Sequence, residues 1–436
     1  MPRQPVPAHV PAQFPAQLPV DAPAHVHPGT ARRSFLRGAS TIAAGLALAP
    51  GAAVQALAAE SWTATWGTAP AGPPTSATAL SFNNQTVRLI AHASIGGTRL
   101  RVRLSNEMGS APLQIGAAWV GIASSWATLV AGSNRQLTFG GRTSIQIAAG
   151  APMLSDPVDL AVPAQSDLAV SLYLPGSVTA TTVHDAAYQT SYISPTGNYA
   201  STADLPIASG LYSWPWLTEI DVSTPGAALV AVGDSQTDGA LTAGNANKRW
   251  TDFLARRLLL EAPSLAVGVV NRGISGNRLL GDAANTPLAG KDAIERFERD
   301  VLATAGARFL VILIGINDII YSSSPNAALA DQITNGYRQL ITRARARGIR
   351  VLGATILPFE GYTWYSAARE SVRQRVNAWI RTAGNFDAVL DFDAAVRDPG
   401  RPTRILPARA STDKLHPNDA GYEAMARAVP LSLLSS

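Results

Sequence analysis

The chain has 436 residues, 47% of them hydrophobic and 15% charged, with a formal net charge of +5 and no cysteine. This apolar content supports sizeable cores and excludes a chain disordered throughout, and the length exceeds one ordinary domain. Without cysteine there is no disulfide, thiolate metal site, iron–sulfur cluster or cysteine nucleophile. Residues 1–58 carry four arginines against one aspartate. Most of the positive excess therefore lies in that segment, and the basic balance does not point to nucleic acid.

Residues 2–31 are rich in Pro, Ala and His and offer little to a core. They lead into Ala31-Arg32-Arg33-Ser34-Phe35-Leu36-Arg37, which resembles a twin-arginine export signal. A mildly apolar run from Ala39 to Leu57 follows, ending in a small-x-small cleavage pattern at Ala56-Leu57-Ala58. Gly, Ser, Thr and Pro make that run too weak for a membrane span, which needs about 20 strongly apolar residues. Residues 1–58 are thus expected to be an export signal behind a Pro/Ala-rich leader. The twin-arginine translocation machinery would read it, and the destination is periplasmic or secreted. Such substrates fold before crossing, in a reducing cytosol, and a cysteine-free chain suits that route.

From 59 to 225 the pattern is β. Leu100, Val102 and Leu104 alternate with Arg99, Arg101 and Arg103, which predicts a strand with one apolar face and one solvated, charged face. Comparable runs occur at Thr86–His92, Leu113–Ile122, Thr143–Ile147 and Leu168–Leu174, punctuated by Gly96-Gly97 and Gly140-Gly141. Short strands with turns between them predict an all-β sandwich or jelly-roll domain.

Near Pro225 the pattern changes, and residues 226–436 read as α/β. Apolar runs at Ala227–Val232, Ala266–Val270, Phe309–Ile314, Val351–Leu357 and Ala388–Phe392 alternate with helical stretches. The helical stretches are Trp250–Glu261, Asp292–Ala303, Asn326–Arg347, Trp364–Ala383 and Asp419–Leu434. Doubly buried strands alternating with helices predict a parallel sheet covered on both faces, with ligands beyond the C-terminal strand ends.

Polar loops follow those strands: Gly233-Asp234-Ser235-Gln236, Ser275-Gly276-Asn277, Gly315-Ile316-Asn317-Asp318 and, near the C-terminus, Asp413-Lys414-Leu415-His416-Pro417. Any one alone is an ordinary turn or cap. In this order they resemble the four blocks of the SGNH hydrolases, also called GDSL esterases, over roughly residues 226–436. The resemblance implies a flavodoxin-like α/β fold with Ser235 as nucleophile, His416 as base and Asp413 orienting it. It also implies an oxyanion hole from the Ser235 and Gly276 amides and the Asn317 side chain. Gln236 stands where the family name has Leu. A serine hydroxyl needs a base to take its proton, and an imidazole titrates near working pH. Beyond residue 58 only His92, His184 and His416 remain, and only His416 lies in the α/β half.

Asp234 is expected to brace the serine turn. Asp238 and Asp318 with Asp413 are the alternative for a metal site; the preferred reading needs neither metal nor cofactor. Trp214 and Trp216 can pack between the halves or stack on substrate, and Trp364 and Tyr365 are candidates for a substrate wall. The expected function is an exported serine hydrolase cleaving carboxylic esters through an acyl-enzyme, with an acetylated carbohydrate as preferred substrate. The alternatives are a lipase or aryl-esterase, a non-catalytic glycan-binding protein and a metal-dependent phosphoesterase. The expected partner is a small-molecule or polysaccharide ester, with no nucleic acid and no stable membrane span.

Overall fold

The computed structural model describes residues 60–435. The Arg32-Arg33 motif and the rest of the expected export segment lie outside them. The described residues form one compact unit.

Antiparallel strands fill the first part of this unit. The principal ones are β1 (Trp62–Gly67), β2 (Ser81–His92), β3 (Gly97–Ser105), β4 (Ala117–Ser125), β5 (Val158–Val162), β6 (Asp167–Thr179), β7 (Ser191–Thr196) and β8 (Leu217–Ser223). One sheet runs β1–β8–β3–β5, and a second sets β7, β2, β6 and β4 side by side. Alternation aims every second residue inward. Leu100, Val102 and Leu104 of β3 and Ile220 and Val222 of β8 share one core with Val87 and Leu89 of β2 and Val170 and Leu172 of β6. The result is a two-sheet sandwich. The expected strand Leu113–Ile122 is broken at Gly116, where a Cβ would press on the Tyr173 ring. Leu113–Ile115 pairs instead with Ile145–Ile147.

The charged face of β3 is only partly solvated: Arg99 stays at the surface with Glu60 and Asp159, whereas the other two arginines meet buried partners. Strand β8 sets Asp221 opposite Arg101 and Glu219 opposite Arg103, and both carboxylates are buried. Arg101 pairs with Asp221 at 2.8 Å and lies over the Trp62 ring. Arg103 pairs with Glu219 at 3.2 Å and donates to the Ala303 carbonyl. Arg272, from the α/β half, also pairs with Glu219. The face is a seam between the halves, and burying these charges is tolerable only because each has a partner.

The parallel sheet comprises β9 (Ala227–Gly233), β10 (Val267–Gly273), β11 (Ala307–Leu313), β12 (Arg350–Ala354) and β13 (Ala388–Leu390). Their order is β10–β9–β11–β12–β13, the doubly wound order of flavodoxin-like folds. Helices α1 (Ser235–Asp238), α2 (Trp250–Glu261), α3 (Ile316–Ile320), α4 (Ala327–Arg345), α5 (Ala367–Arg381), α6 (Phe392–Val396) and α7 (Asp419–Arg427) accompany it. Val230, Val232, Leu310 and Ile312 pack against Ile333 and Tyr337 of α4 and Val372 and Val376 of α5. On the other face Leu229, Ala231, Phe309 and Val311 pack against Trp250 and Leu254 of α2 and Tyr422 and Met425 of α7.

Two helical expectations shorten. Helix α7 stops at Arg427 rather than Leu434, because Pro430 cannot continue it. Of Asp292–Ala303, only Glu298–Leu302 forms a regular turn, of π type. That stretch turns Asp300 inward, where it pairs with Arg296 at 2.8 Å and Arg299 at 2.7 Å. Among the described residues no helix is long and apolar enough to cross a membrane.

Candidate active site

Strand β9 ends at Gly233, where a Cβ would collide with the Thr237 side chain and the Leu313 carbonyl. Only glycine allows the chain to turn this tightly into α1. Asp234 caps that helix, accepting from the Gln236 amide at 3.0 Å, and so braces the turn as expected. Burial, the leading cause, raises its carboxyl to about 7. Ser235 is the first helical residue and is 7% exposed.

The C-terminal block reaches this serine. His416 Nε2 lies 2.7 Å from Ser235 Oγ, and His416 Nδ1 lies 2.5 Å from Asp413 Oδ2. The other Asp413 oxygen accepts from the Leu415 and His416 amides, each at 3.1 Å. Burial alone would raise the Asp413 carboxyl, but its hydrogen bonds and attraction to the His416 ring hold it below the usual range. Lys414 adopts φ +63°, a left-handed residue that lets a loop this short carry both groups. Gln236 has a structural use: its Nε2 donates to the Leu415 carbonyl at 3.1 Å, tying the serine turn to the histidine loop.

The other two blocks meet beside that chain of bonds. Gly276 adopts φ +81°. The neighbouring Asn277 carbonyl accepts from Asn317 Nδ2 at 2.9 Å, which leaves the second amide hydrogen of Asn317 uncommitted. Asn277 is itself clamped. Its Nδ2 donates to Ala289 and Lys291 carbonyls, and its Oδ1 accepts from Arg296. Arg296 also donates to the Gly233 carbonyl at 3.0 Å and the Arg272 carbonyl at 2.8 Å. One buried guanidinium thus locks the ends of β9 and β10 to the Gly276 turn. No spacing in the sequence marks Arg296, since its partners lie 63 and 24 residues away.

A further brace comes from the sandwich. His184, in the short strand Val183–His184, places Nδ1 2.9 Å from the Ala69 carbonyl and Nε2 3.1 Å from Asp238 Oδ1. A carbonyl and a carboxylate facing the two ring nitrogens favour the doubly protonated imidazole. Burial opposes that charge, but Asp238 outweighs it and the pKa is raised. The other Asp238 oxygen accepts from the Ser275 amide at 2.9 Å and its hydroxyl at 2.7 Å. A line of bonds therefore runs from the sandwich through Asp238 to the residue before Gly276. In the sequence, the only trace of it is a histidine in the β region and an aspartate without an assigned partner.

A raised histidine pKa adds stability in full below the unfolded value near 6.5, and that contribution is lost as pH climbs through the folded value. His184→Gln, which cannot charge, is therefore expected to cost on the order of 3 kcal/mol at pH 6. The melting-temperature gap from wild type should narrow as pH rises. A gap independent of pH would mean the ring is neutral. Because the bond line ends beside Gly276, kcat for a p-nitrophenyl ester should fall more than KM rises.

The remaining expectations sort by contact. Asp238, Asp318 and Asp413, the metal alternative, serve three separate partner sets. Asp318 accepts from the Leu279 and Leu280 amides at 2.9 and 3.0 Å, and burial raises it to about 6. Trp214 and Trp216 are buried; Trp214 packs edge-on to Trp66 at 5.0 Å and lies 5.5 Å from His184. Tyr365 packs on Phe359, whereas Trp364 is exposed. His92 binds Asp167 at 2.6 Å within the sandwich.

Residues 231–424 match the GDSL-like Lipase/Acylhydrolase family. An acetylxylan esterase from Geobacillus stearothermophilus is 25% identical over 227 residues, covering 47% of this chain and 92% of that protein. A solved structure of an acetylxylan esterase from the same organism is 24% identical, covers 48% of this chain and 96% of its own, and superposes with a TM-score of 0.36. An α/β hydrolase enzyme from the metagenome of Lake Arreo, Spain, is 22% identical, covers 48% and 95%, and has the same TM-score of 0.36.

Proposed function

The α/β half of this chain is an SGNH hydrolase and the protein a carboxylic ester hydrolase, and on that premise we propose that it deacetylates carbohydrate through an acyl-enzyme on Ser235. The observation that carries this reading is the unbroken line Ser235–His416–Asp413, at 2.7 and 2.5 Å. Asp413 accepts the Nδ1 proton, which leaves Nε2 free to take the proton of Ser235 Oγ as it attacks the ester carbonyl. The oxyanion that forms is met by the Ser235 and Gly276 amides and the uncommitted Asn317 hydrogen. Collapse expels the alcohol, protonated by His416, and leaves an acyl-Ser235. Water, deprotonated by the same imidazole, releases the acid and restores the serine.

The acetylated-carbohydrate part of the reading is supported by the acetylxylan esterase relative and by the near-burial of Ser235, which suits a small acyl group. Kinetics on p-nitrophenyl acetate, butyrate and octanoate, with acetate release from acetylated xylan, test it. The acetyl ester should exceed the octanoyl ester by about tenfold or more in kcat/KM; the reverse order would indicate a lipase. We also propose twin-arginine export of the mature protein, supported by Arg32-Arg33 and the run after it. An N-terminus near Ala59 on protein recovered outside the cytoplasm is the check.

A further inference from the structure

Resting on the carbohydrate-ester reading above, we propose that the alcohol part of the substrate is an acidic carbohydrate. Its carboxylates would be taken by Arg278 and Lys414, and its rings would lie on Tyr321 and Trp364 between them.

Arg278 stands two residues beyond Gly276, and its guanidinium lies 5.1 Å over the Tyr321 ring. Among the described residues it makes no ion pair, and its Nε is buried without a hydrogen-bond partner. It is felt by Asp318, but that carboxylate is occupied by two backbone amides. Tyr321 closes helix α3, the helix that carries Asn317. Trp364 lies 6.4 Å from Tyr321, and both rings are exposed, at 43% and 38%.

Tyr362 continues the strip toward the histidine. Its phenol is pushed up by burial, then by the neighbouring Tyr321, to which it is hydrogen-bonded, and by the Asp413 charge. On that loop Lys414 is exposed and, among the described residues, has no ion pair. It borders a groove of about 320 Å³ with Glu360, Gly361, Arg401 and Arg404. Arg401 is paired with Glu360, and Arg404 with Asp398. Lys414, on the loop of His416, and Arg278, two residues from Gly276, are therefore positive charges on this strip without an acidic partner among the described residues; Arg369, which donates to the Ser322 carbonyl beside Tyr321, is a third.

Exposed aromatic faces stack on the C–H face of a sugar ring. Guanidinium and ammonium groups bind carboxylates by charge-assisted hydrogen bonds, most strongly when they have no internal partner to give up. An acyl chain of a lipid would use neither cation. Together the features fit a uronate-bearing saccharide ester better than a neutral one.

Acetate release by the full chain should be compared on O-acetylated oligogalacturonides, on the same oligomers with carboxylates methyl-esterified, and on acetylated xylooligosaccharides. The free-acid oligomer should exceed its methyl-esterified form by about tenfold or more in kcat/KM at low salt, and high salt should shrink that ratio. Arg278→Gln or Lys414→Gln should cut the ratio by about tenfold. Equal kcat/KM for charged and esterified oligomers, or a preference that survives both substitutions and high salt, would overturn the proposal. Deacetylation of xylooligosaccharide without any charge preference would overturn it while leaving the carbohydrate reading intact. Turnover of p-nitrophenyl acetate with no acetate from any saccharide would overturn both.

Discussion

His416→Ala is expected to lower kcat on a p-nitrophenyl ester by about 10⁵–10⁶-fold with little change in KM. The imidazole is the base placed at 2.7 Å from the serine oxygen, and a serine hydroxyl gives up its proton at neutral pH only as a base takes it. Asp234, the nearest carboxyl along the chain, has its Oδ1 turned to the Gln236 amide and is raised to about 7 by burial. It cannot stand in. Adding Ser235→Ala to His416→Ala should cost almost nothing more, because the two act as one unit. Steady-state kinetics on the single and double variants check this. Additive losses would mean two independent routes to hydrolysis.

Asn317→Ala is expected to lower kcat by about 10²–10³-fold, the usual cost of one oxyanion donor, about 3–4 kcal/mol of transition-state stabilisation. One amide hydrogen of Asn317 is spent on the Asn277 carbonyl, and the other is the one that can meet developing charge. The loss should fall on kcat and kcat/KM equally, because the bond forms fully only in the transition state. A loss of less than about tenfold would mean that the side chain merely props Asn277.

The roles of the site residues came from the resemblance of the four polar blocks to the SGNH hydrolases; only their placement was readable directly, because doubly wound folds deliver polar residues to the ends of strands, and apolar runs mark where strands end. Ser235, Gly276 and Asn317 each follow such a run. Asp413 and His416 share one short loop, so local spacing defines their geometry. Helix α2 was equally legible, its Trp250–Glu261 bounds agreeing with the pattern. Features set by distant contacts were not legible. The arginines of β3 alternate as a solvated face would, yet Glu219 and Asp221, more than a hundred positions away in sequence, place buried carboxylates against Arg103 and Arg101 and leave that face only half exposed. Arg296 reads as one charge in a helical stretch but is the clamp beneath the nucleophile turn. His184 reads as a strand histidine, and its link to Asp238 exists only because the sandwich packs on the α/β half. These are pairings of single charges, for which neither period nor spacing leaves a trace.

The most direct test of the central claim, a nucleophilic Ser235 activated by His416, is covalent trapping with a p-nitrophenyl alkylphosphonate followed by peptide mass mapping. The account predicts one adduct per chain, on the peptide bearing Ser235, absent from Ser235→Ala and greatly slowed in His416→Ala. An adduct on another residue, or undiminished ester turnover by Ser235→Ala, would contradict it.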